Sequence, residues 1–548
     1  MRTFPRSPRL TRLIPRRRPL PRRISTKPHP RIHRQPRYLC LALGSPFVIL
    51  LPSGRRFEPI PRRSPAKCES AAAAVVIDAS SLLDEERRLL GLWEDVWYAL
   101  RLVVKAVQMA CLASPLVVLV PLARLSVWVE DVSWRYVYWA VERCGPCYIK
   151  FMQWAATRPD LFPADICQRC ARFHCSVAPH SLRATEYVLT HAFGPSWRES
   201  LEIVDKEPIG SGCVAQVYRG RLRQQHSSDS GSDGWVDVAV KVAHPGIAER
   251  IQLDLQLMRA GASLLEVFPS IRWLALRDSV EQFASVMSRQ ADLSEEAEHI
   301  TRFRQLFPQS SHDRDTVVFP EVVDGRWVHP EVLVERFEDG TRIGEWIDQQ
   351  NQHDDTALRK RVANLGISAF LKMLFIDNFV HADLHPGNLL IRIEDRPDGK
   401  SPPRIVLVFL DCGLVTELQP RDRRNFVSLF RALAKGDGQL AGRLILREAK
   451  QQRCPDPQAF VDEVDTLLNT FLKQGVQLSQ VRAGEILSRL LTLASRHRVQ
   501  LEGNFVSVCL AVMILEGLGR QLDPHIDLLK AAAPYVMRAA LTLGIRDQ

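Results

Sequence analysis

The segment from His381 to Asn388, with the sequence HADLHPGN, combines a carboxylate, an amide and a tight turn. Asp383 and Asn388 lie five positions apart, with Pro386 and Gly387 between them. In catalytic loops of the form D-x-x-x-x-N, the aspartate serves as the base and the asparagine binds a metal ion. We therefore predict Asp383 as a catalytic residue and Asn388 as a magnesium ligand.

Two further motifs flank this loop in the order that such a site requires. The apolar run from Ile405 to Leu410 predicts a buried strand that ends at Asp411, and Gly413 follows, so Asp411 takes the place of the magnesium-binding aspartate of D-F-G. Upstream, VAVKV places Lys241 in a β-branched strand, where the lysine that binds the α- and β-phosphates is expected. Each motif alone is common by chance, but the three in order predict an α+β, bilobal protein-kinase-like fold.

The segment PIGSGCVAQVY, beginning at Pro208, predicts a glycine-rich turn before a strand. Its G-x-G-x-x-A spacing is close to that of the loop whose backbone amides cover the phosphates of ATP. Further on, VLVERF predicts a strand that leads into a hinge, where backbone groups would meet adenine. The predicted ATP-binding residues are Gly210, Ser211, Gly212, Cys213, Val214, Lys241, Glu335 and Phe337.

A predicted helix in RQADLSEEAEHITRF supplies a partner for the strand lysine. Glu296 is the candidate that pairs with Lys241 and fixes the lysine on the phosphates, which makes Lys241 and Glu296 catalytic residues together with Asp383. Glu295 is the alternative partner, but its side chain would point about 100° away on the helix. The sequence after Asp411 runs directly into a helix without the A-P-E anchor of a peptide-docking platform, which argues against a general protein kinase.

Several of these strings together resemble one family, the aarF-domain or UbiB family of atypical kinases. The resemblance covers the chain from about residue 140 to the C-terminus. Besides HADLHPGN and DCG, it rests on K-V-x-H-P-G and G-P-x-x-I-K-x-x-Q, which here are Lys241, His244, Pro245 and Gly246, and Gly145, Pro146, Ile149, Lys150 and Gln153. The resemblance implies a membrane-associated, ATP-binding protein of mitochondria or bacteria that supports coenzyme Q (ubiquinone) synthesis and lipid metabolism.

The resemblance also assigns a lid over the nucleotide cleft. In the family a K-x-G-Q helix lies across the cleft, which here gives Lys150 and Gln153 as lid residues, with Met152 in place of the glycine. Asp292 matches the second acid of the family's E-x-D pattern, and Gln290 replaces the first acid. The assignment of Glu296 as the lysine partner also rests on this resemblance, and we expect Asp292, four residues earlier, on the same helix face.

Charge is distributed unevenly over the 548 residues. Residues 1–57 hold fifteen Lys or Arg and no acid, so the formal net charge of +11 falls to −4 for the remainder. An Arg-rich, acid-free leader is typical of a mitochondrial transit peptide, so we predict a mitochondrial protein. The alternative is a nucleic-acid-binding arm, since Arg clusters also neutralise phosphates; no nucleic-acid fold adjoins it, and we expect no nucleic-acid partner.

The rest of the chain divides into four predicted segments. Residues 80–143 read as helices, and the uncharged stretch 106–123 is near the lower limit for a membrane span. We predict that these helices contact a membrane, most simply the mitochondrial inner membrane; the alternative is a helical hairpin buried against the kinase-like domain. Residues 144–205 form the lid extension, 206–340 the first lobe, and 341–548 the second lobe with a helical tail.

Four cysteines offer a different type of site. Cys144, Cys147, Cys167 and Cys170 have CxxC spacings that suit zinc, and CGPC alone resembles a thiol redox motif. Helical sequence precedes the first pair, and the second pair fits one face of an amphipathic helix, so we expect these four to be buried thiols. We expect all twelve cysteines of the chain to be reduced.

Two functions remain open at this point. The first is a kinase or ATPase with ATP and Mg²⁺ as cofactors, whose acceptor is water, a small metabolite or a lipid-related hydroxyl. The second is a catalytically weak, nucleotide-gated scaffold that organises partner enzymes at a membrane. The expected partners are ATP, coenzyme Q biosynthesis proteins or lipid-like small molecules, and the mitochondrial membrane.

Overall fold

The computed structural model describes residues 66–123, 125–158, 161–162, 164–173, 179–223, 234–267, 276–308, 314–350, 355–396, 401–447, 449–452, 454–473 and 483–545. The predicted leader, residues 1–57, lies outside the described residues. The chain divides into two compact units, residues 1–87 and 88–548. All contacts described below lie within the second unit.

Helices form the N-terminal part of the described chain. In chain order they are α1 (Ala66–Ala123), α2 (Val127–Cys144), α3 (Pro146–Ala156), α4 (Ala164–Cys170) and α5 (Leu182–Phe193). By length and composition, two helices could cross a membrane. One is the Asp95–Ala123 part of α1, whose most apolar window is not buried at all, and the other is Gly503–Leu522, 61% of whose window is buried as in a core helix. The alternative interpretation, a helical hairpin buried against the kinase-like domain, is therefore wrong for this part of α1.

The first lobe is a six-stranded antiparallel sheet. Its strands are β1 (Leu201–Ile203), β2 (Gly210–Ser211), β3 (Ala215–Arg223), β4 (Trp235–Ala243), β6 (Val328–His329) and β7 (Val332–Arg336). Their spatial order is β1-β3-β4-β7-β6, with β2 paired to β3. In β4, Val238, Val240 and Val242 are fully buried in one core cluster. Because side chains alternate along a strand, Lys241 points to the opposite face, towards the cleft.

Three helices pack on this lobe: α6 (Ile247–Leu265), α7 (Leu276–Gln290) and α8 (Leu293–Leu306). The buried residues of α8 include Leu293, Ala297, Ile300 and Phe303, which recur at helical spacing along one face. Glu296 is buried beside them. The apolar face of α8 thereby fixes the position of this glutamate against β4.

The second lobe is built on a small mixed sheet. Its strands are β5 (Thr316–Val318), β8 (Thr341–Arg342), β10 (Leu389–Glu394) and β11 (Arg404–Phe409). Their spatial order is β5-β11-β10-β8, with β5 parallel to β11 and the other pairs antiparallel. The β10–β11 hairpin sets Leu389 opposite Phe409. Beyond this pair the Leu410 amide donates to Asn388 O at 2.8 Å, so the hairpin places Asn388 beside the residue that precedes Asp411.

The remaining elements complete this lobe and its tail. Two short pairs are β9 (Val380–His381) with β12 (Val415–Thr416), and β13 (Ala449–Gln452) with β14 (Val499–Leu501). The helices are α9 (Ile343–Gln350), α10 (Thr356–Leu371) followed by the π-helical turn Lys372–Asp377, α11 (Pro420–Lys435), α12 (Gly438–Arg447), α13 (Pro457–Lys473), α14 (Ala483–Arg496), α15 (Gly503–Leu522) and α16 (Leu528–Thr542). The predicted fold class is confirmed. The domain boundaries stay predictions. Strand β5 lies inside the range assigned to the first lobe but pairs with the sheet of the second lobe.

Candidate nucleotide site

Lys241 lies at the centre of a cluster of charged groups between the two lobes. Its Nζ donates to Glu296 Oε1 and Oε2 at 2.9 and 2.8 Å, and to Asp411 Oδ1 at 3.0 Å. The Glu296 side chain is 3% exposed, whereas that of Asp411 is 46% exposed. The structure therefore brings together three residues that are far apart in the sequence, and it selects Glu296 rather than Glu295 as the partner of the lysine.

The electrostatics of this cluster follow from two carboxylates that share one ammonium group. The Lys241 charge holds the pKa of Asp411 well below its usual range. Burial raises the pKa of Glu296 to about 7, against the lowering effect of Lys241. Burial would lower the pKa of Lys241, but the two carboxylates outweigh it and the pKa is raised. Near neutral pH, Lys241 is therefore charged, Asp411 is ionised and Glu296 titrates.

The catalytic-loop segment is held by a buried histidine. His381 is fully buried, its Nε2 donates to Leu410 O at 3.0 Å, and its Nδ1 accepts from the Asp383 amide at 3.3 Å. Burial lowers the pKa of His381, which favours the neutral form that these two bonds require. The Asn388 amide nitrogen donates to Asp383 O at 3.1 Å. These bonds hold the backbone of Asp383 and the side chain of Asn388, and they give His381 the contacts of a residue that braces the loop.

The turn after β11 has a special backbone conformation. Asp411 has a φ of +52°, in the left-handed region that residues other than glycine rarely adopt. His299 in α8 donates from Nδ1 to Cys412 O at 3.0 Å. A Cβ on Gly413 would lie 3.3 Å from Asp411 Oδ1, so a side chain there would crowd the carboxylate. The turn therefore directs Asp411 at Lys241.

The glycine-rich loop forms a tight turn between β2 and β3. The Gly212 amide donates to Ala215 O at 2.8 Å, and His244 Nε2 donates to Gly212 O at 2.9 Å. Within the described chain, Ser211 Oγ is buried and has no hydrogen-bond partner. Cys213 is buried and disulfide-bonded, so the expectation of reduced thiols is wrong for this residue.

His244 has a role that the sequence did not reveal. Its Nδ1 lies 2.7 Å from His180 Nδ1, while its Nε2 holds the glycine-rich loop as described above. Burial, together with His244, lowers the pKa of His180 to about 4, so His180 is neutral at physiological pH. The sequence signal was present in the string K-V-x-H-P-G, but only the fold shows that this histidine reaches back to the loop.

The backbone of the predicted hinge forms hydrogen bonds within the first lobe. β7 lies between β4 and β6, and its outgoing amides are already used. The Arg336 amide donates to Glu321 O at 2.7 Å, and the Phe337 amide donates to Asp237 O at 3.1 Å. The Phe337 amide is therefore bonded within the first lobe in this conformation, and the contact between adenine and the backbone of residues 335–337 stays a prediction. Burial raises the pKa of Glu335 to about 8, with the nearby Glu296 carboxylate adding to the effect.

The predicted lid residues fall in three different environments. Lys150 in α3 is close enough to Asp411 for its charge to lower the pKa of that carboxyl group. The Gln153 side chain donates to Phe173 O at 3.1 Å. Met152 lies 3.8 Å from Cys170 Sγ through its sulfur. Of the three, Lys150 is the side chain that faces the charged cluster.

Asp292 is not on the helix face that the sequence analysis assigned to it. It is the N-cap residue of α8, with extended backbone, and its Oδ1 accepts from the Ser294 amide at 2.8 Å. An N-cap aspartate satisfies an otherwise unpaired amide of the first turn. Its observed contact is therefore that of a helix cap, and its role in the lid stays a prediction.

The cysteine pairs do not form a metal site. Cys144, Cys147, Cys167 and Cys170 are all buried, and no group of three or more candidate metal ligands is found in the described ranges of the chain. Burial raises the pKa of Cys147 to about 12, so its thiol is protonated. For these four residues the expectation of buried thiols is confirmed.

Comparison with known proteins assigns both lobes to one family. The ABC1 atypical kinase-like domain matches residues 172–444, and the UbiB helical domain matches residues 468–527. A structure of a Mycobacterium tuberculosis protein with erythromycin aligns with a TM-score of 0.42 at 18% identity, over 73% of this chain and 97% of that chain.

Three curated relatives are similar over most of this chain. A probable serine/threonine-protein kinase of Dictyostelium discoideum is 32% identical over 75% of this chain, which spans 65% of that relative's length. A mitochondrial ABC1 family protein of Schizosaccharomyces pombe is 30% identical over 84% of this chain and 75% of its own length. The probable protein kinase UbiB of Aeromonas salmonicida is 28% identical over 76% and 75%. With this similarity and a kinase-like domain around the Lys241 cluster, the chain belongs to the ABC1/UbiB family of atypical kinases.

Proposed function

We propose that this protein is an atypical kinase or ATPase that uses magnesium and ATP between its two lobes, and that it supports coenzyme Q biosynthesis and lipid metabolism in mitochondria. The observation that carries the proposal is the position of Lys241, within 3.0 Å of both Glu296 and Asp411. A lysine held by a helix glutamate beside an aspartate is the arrangement that phosphoryl transfer requires.

The residues present fit a nucleotide and a metal ion. Ser211 Oγ is a buried polar atom without a partner among the described residues, and it lies in the loop predicted to cover the phosphates. An unpartnered buried hydroxyl is costly unless a ligand satisfies it. The half-exposed, ionised Asp411 and the Asn388 side-chain oxygen supply the oxygen ligands that magnesium prefers.

Each residue of the candidate site then has one role. Lys241, positioned by Glu296, binds the α- and β-phosphates, and Asp411 and Asn388 hold the metal. Bound Mg²⁺-ATP supplies the transferable phosphoryl group together with the metal charge that neutralises it. Asp383 orients the acceptor hydroxyl and accepts its proton.

The connection after Asp411 supports an acceptor other than a protein. Only β12 lies between Asp411 and the start of α11 at Pro420, and this part of the chain is fully described. Such a short connection leaves no room for a peptide-docking segment. Water, a small metabolite or a lipid-related hydroxyl is the proposed acceptor.

The cellular assignment has three supports. The leader has the composition of a transit peptide. The fission-yeast relative is named as mitochondrial, and bacterial relatives carry the name UbiB, which is linked to ubiquinone biosynthesis. The Asp95–Ala123 part of α1 is apolar and exposed, as a helix in contact with a membrane would be. We therefore propose association with the mitochondrial inner membrane.

A nucleotide-gated scaffold is the second candidate, and the lid favours it. Met152 replaces the glycine of the lid motif, and Gln153 is bonded to Phe173 O rather than turned to the cleft. A lid with these contacts restricts the approach of an acceptor, so binding without turnover is the expected behaviour in that case.

The test compares ATP binding and phosphate release by the full chain with those of Lys241→Met and Asp411→Asn. Exposed Lys530→Met and Asp348→Asn are the matched controls. If wild type and controls release phosphate and both site variants do not, the site is catalytic. If ATP binds but none of these five proteins releases phosphate, the scaffold function replaces the proposed enzyme activity. If wild type does not bind ATP, both proposals are wrong.

A further inference from the structure

A second cavity lies outside the nucleotide site. Its volume is about 550 Å³, within the range typical of small-molecule sites. It is bounded by α1, by the turn between α2 and α3, and by the first turns of α6. Its apolar lining consists of Trp97, Leu100, Val104, Ile247, Ile251 and Leu253.

This apolar lining has a buried floor and an open side. Ile247, Ile251 and Leu253 are buried, whereas Trp97 and Val104 on α1 are 62% and 60% exposed. An exposed tryptophan and valine that face buried isoleucines across an open space form a surface that an alkyl chain or ring can cover. Gly145 and Pro146 at the start of the lid helix close one end, so an occupant would touch α3.

The rim of this cavity is basic. Four of its lining residues carry positive charge, namely Arg101, Lys105, Arg143 and Arg250, against one lining acid, Asp254. Two of the cations are already engaged. Lys105 Nζ lies 3.3 Å from Asp254 Oδ1 and donates to Cys144 O at 2.7 Å, and Arg101 pairs with Glu249 at 3.1 Å.

Two arginines at the rim remain available for a ligand. Neither Arg143 nor Arg250 lies within ion-pair distance of a described acid, and both are exposed. The Arg250 charge does act on Asp254 at longer range, where burial raises the pKa of that carboxyl group and Lys105 and Arg250 lower it. Arg143 stacks over the Trp139 ring at 4.7 Å, which holds its guanidinium group near the mouth of the cavity. Arginine side chains suit a carboxylate or phosphate group, which a guanidinium can bind through two hydrogen bonds at once.

We propose that this cavity binds an amphiphilic acid, a molecule with one carboxylate or phosphate head and an alkyl or aromatic body. The head would lie between Arg143 and Arg250, and the body would cover Trp97 and Val104 above the isoleucine floor. The charge of the rim excludes two other occupants. A cationic amphiphile is repelled, and so is this chain's own leader with its fifteen basic residues. The proposed occupant enters as a free molecule, and binding only as part of a bilayer is the alternative that the experiment separates.

The test is calorimetric titration of the full chain, without nucleotide, with decanoate and decyl phosphate below their micelle-forming concentrations. Decanol and decyltrimethylammonium are the neutral and cationic controls. We expect one molecule of either acid to bind per chain, with decanol at least about tenfold weaker and the cation not bound. Because ATP is absent, the result does not depend on the proposed kinase or ATPase function.

Variants locate the site. Arg143→Glu and Arg250→Glu should each weaken acid binding about tenfold, since each removes a charge-assisted contact. Arg135→Glu, on the same helix as Arg143 but paired at the surface with Asp131, is the control and should leave the affinity within about twofold. Val104→Trp fills the cavity without changing its charge and should also weaken binding.

Three outcomes would overturn the proposal. Decanol could bind as tightly as decanoate, which would leave the arginines without a role. Acid binding could survive both arginine reversals and Val104→Trp, which would place it elsewhere. The acids could fail to bind as monomers while the chain adsorbs to phosphatidylglycerol vesicles, which would assign the basic rim to a membrane surface instead.

Discussion

Glu296→Gln tests whether the buried glutamate acts mainly on lysine position or on fold stability. The replacement keeps the shape of the side chain and removes its charge. Burial raises the pKa of Glu296 from 4.5 to about 7. Each tenfold change in proton affinity is about 1.4 kcal/mol, so the folded state favours the protonated group by about 3 kcal/mol.

The sign of the pH dependence follows from this raised pKa. Below pH 4.5 the folded and unfolded chains are both protonated at this position. Between 4.5 and about 7 the folded chain keeps a proton that the unfolded chain has lost, so the free energy of unfolding falls as pH rises through this window. Above about 7 the contribution is constant. The Glu296→Gln variant has no titrating group at this position, so its free energy of unfolding lacks this pH dependence.

Two effects of opposite sign therefore meet in the variant. Losing charge-assisted bonds to Lys241 costs about 1.5–3 kcal/mol, and Lys241 keeps Asp411 as a partner at 3.0 Å. Removing the buried charge returns about 3 kcal/mol above pH 7. We therefore expect the free energy of unfolding at pH 8 to rise by between 0 and about 1.5 kcal/mol. ATP affinity should fall about 10- to 100-fold, because the lysine is no longer fixed on the phosphates.

The assay is ATP affinity and denaturant unfolding of wild type and Glu296→Gln between pH 5.5 and 8.5. The phosphates of ATP titrate in the same range, but they do so for both proteins, so the ratio of the two affinities isolates Glu296. We expect this ratio to grow as pH rises through about 7. A ratio that stays constant with pH, or a loss of stability of about 4 kcal/mol at pH 8, would refute the reasoning.

Three other predictions concern the catalytic loop, the phosphate loop and the helical tail. Asp383→Asn should lower kcat about 10²- to 10⁴-fold with little change in KM for ATP, as steady-state kinetics will show, since it removes a base without removing a phosphate contact. His244→Ala should instead raise KM for ATP several-fold, because the bond to Gly212 O is lost, and His244→Gln should restore part of the ATP affinity. If both variants lower kcat by the same factor and leave KM unchanged, the positioning role is contradicted. Gly438→Ala should cost about 1–3 kcal/mol in denaturant unfolding, because its Cβ would lie 2.4 Å from Asp465 Cα, and an unchanged midpoint would show that α12 and α13 separate freely.

The sequence by itself determined the chemistry of the candidate site. HADLHPGN, DCG and VAVKV each carry their residue types at a fixed local spacing, and that spacing is a property of the chain alone. The alternation of valines in β4 also follows from the sequence, since the period of a strand assigns Lys241 to the face opposite Val240. The choice of Glu296 relied on the family resemblance, with the direction of successive helix side chains as the argument against Glu295, and the structure has the same arrangement.

Only the tertiary structure decided which groups are already occupied. Asp292 was expected on one face of α8, but the start of this helix makes it the N-cap, and the Phe337 amide is bonded to Asp237 O of the neighbouring strand. His244 reaches Gly212 O only because β4 runs beside the glycine-rich turn. Local spacing fixes which residues can meet within one element, but hydrogen-bond partners and burial depend on how distant elements pack, because each buried polar group must find its partner somewhere in the fold.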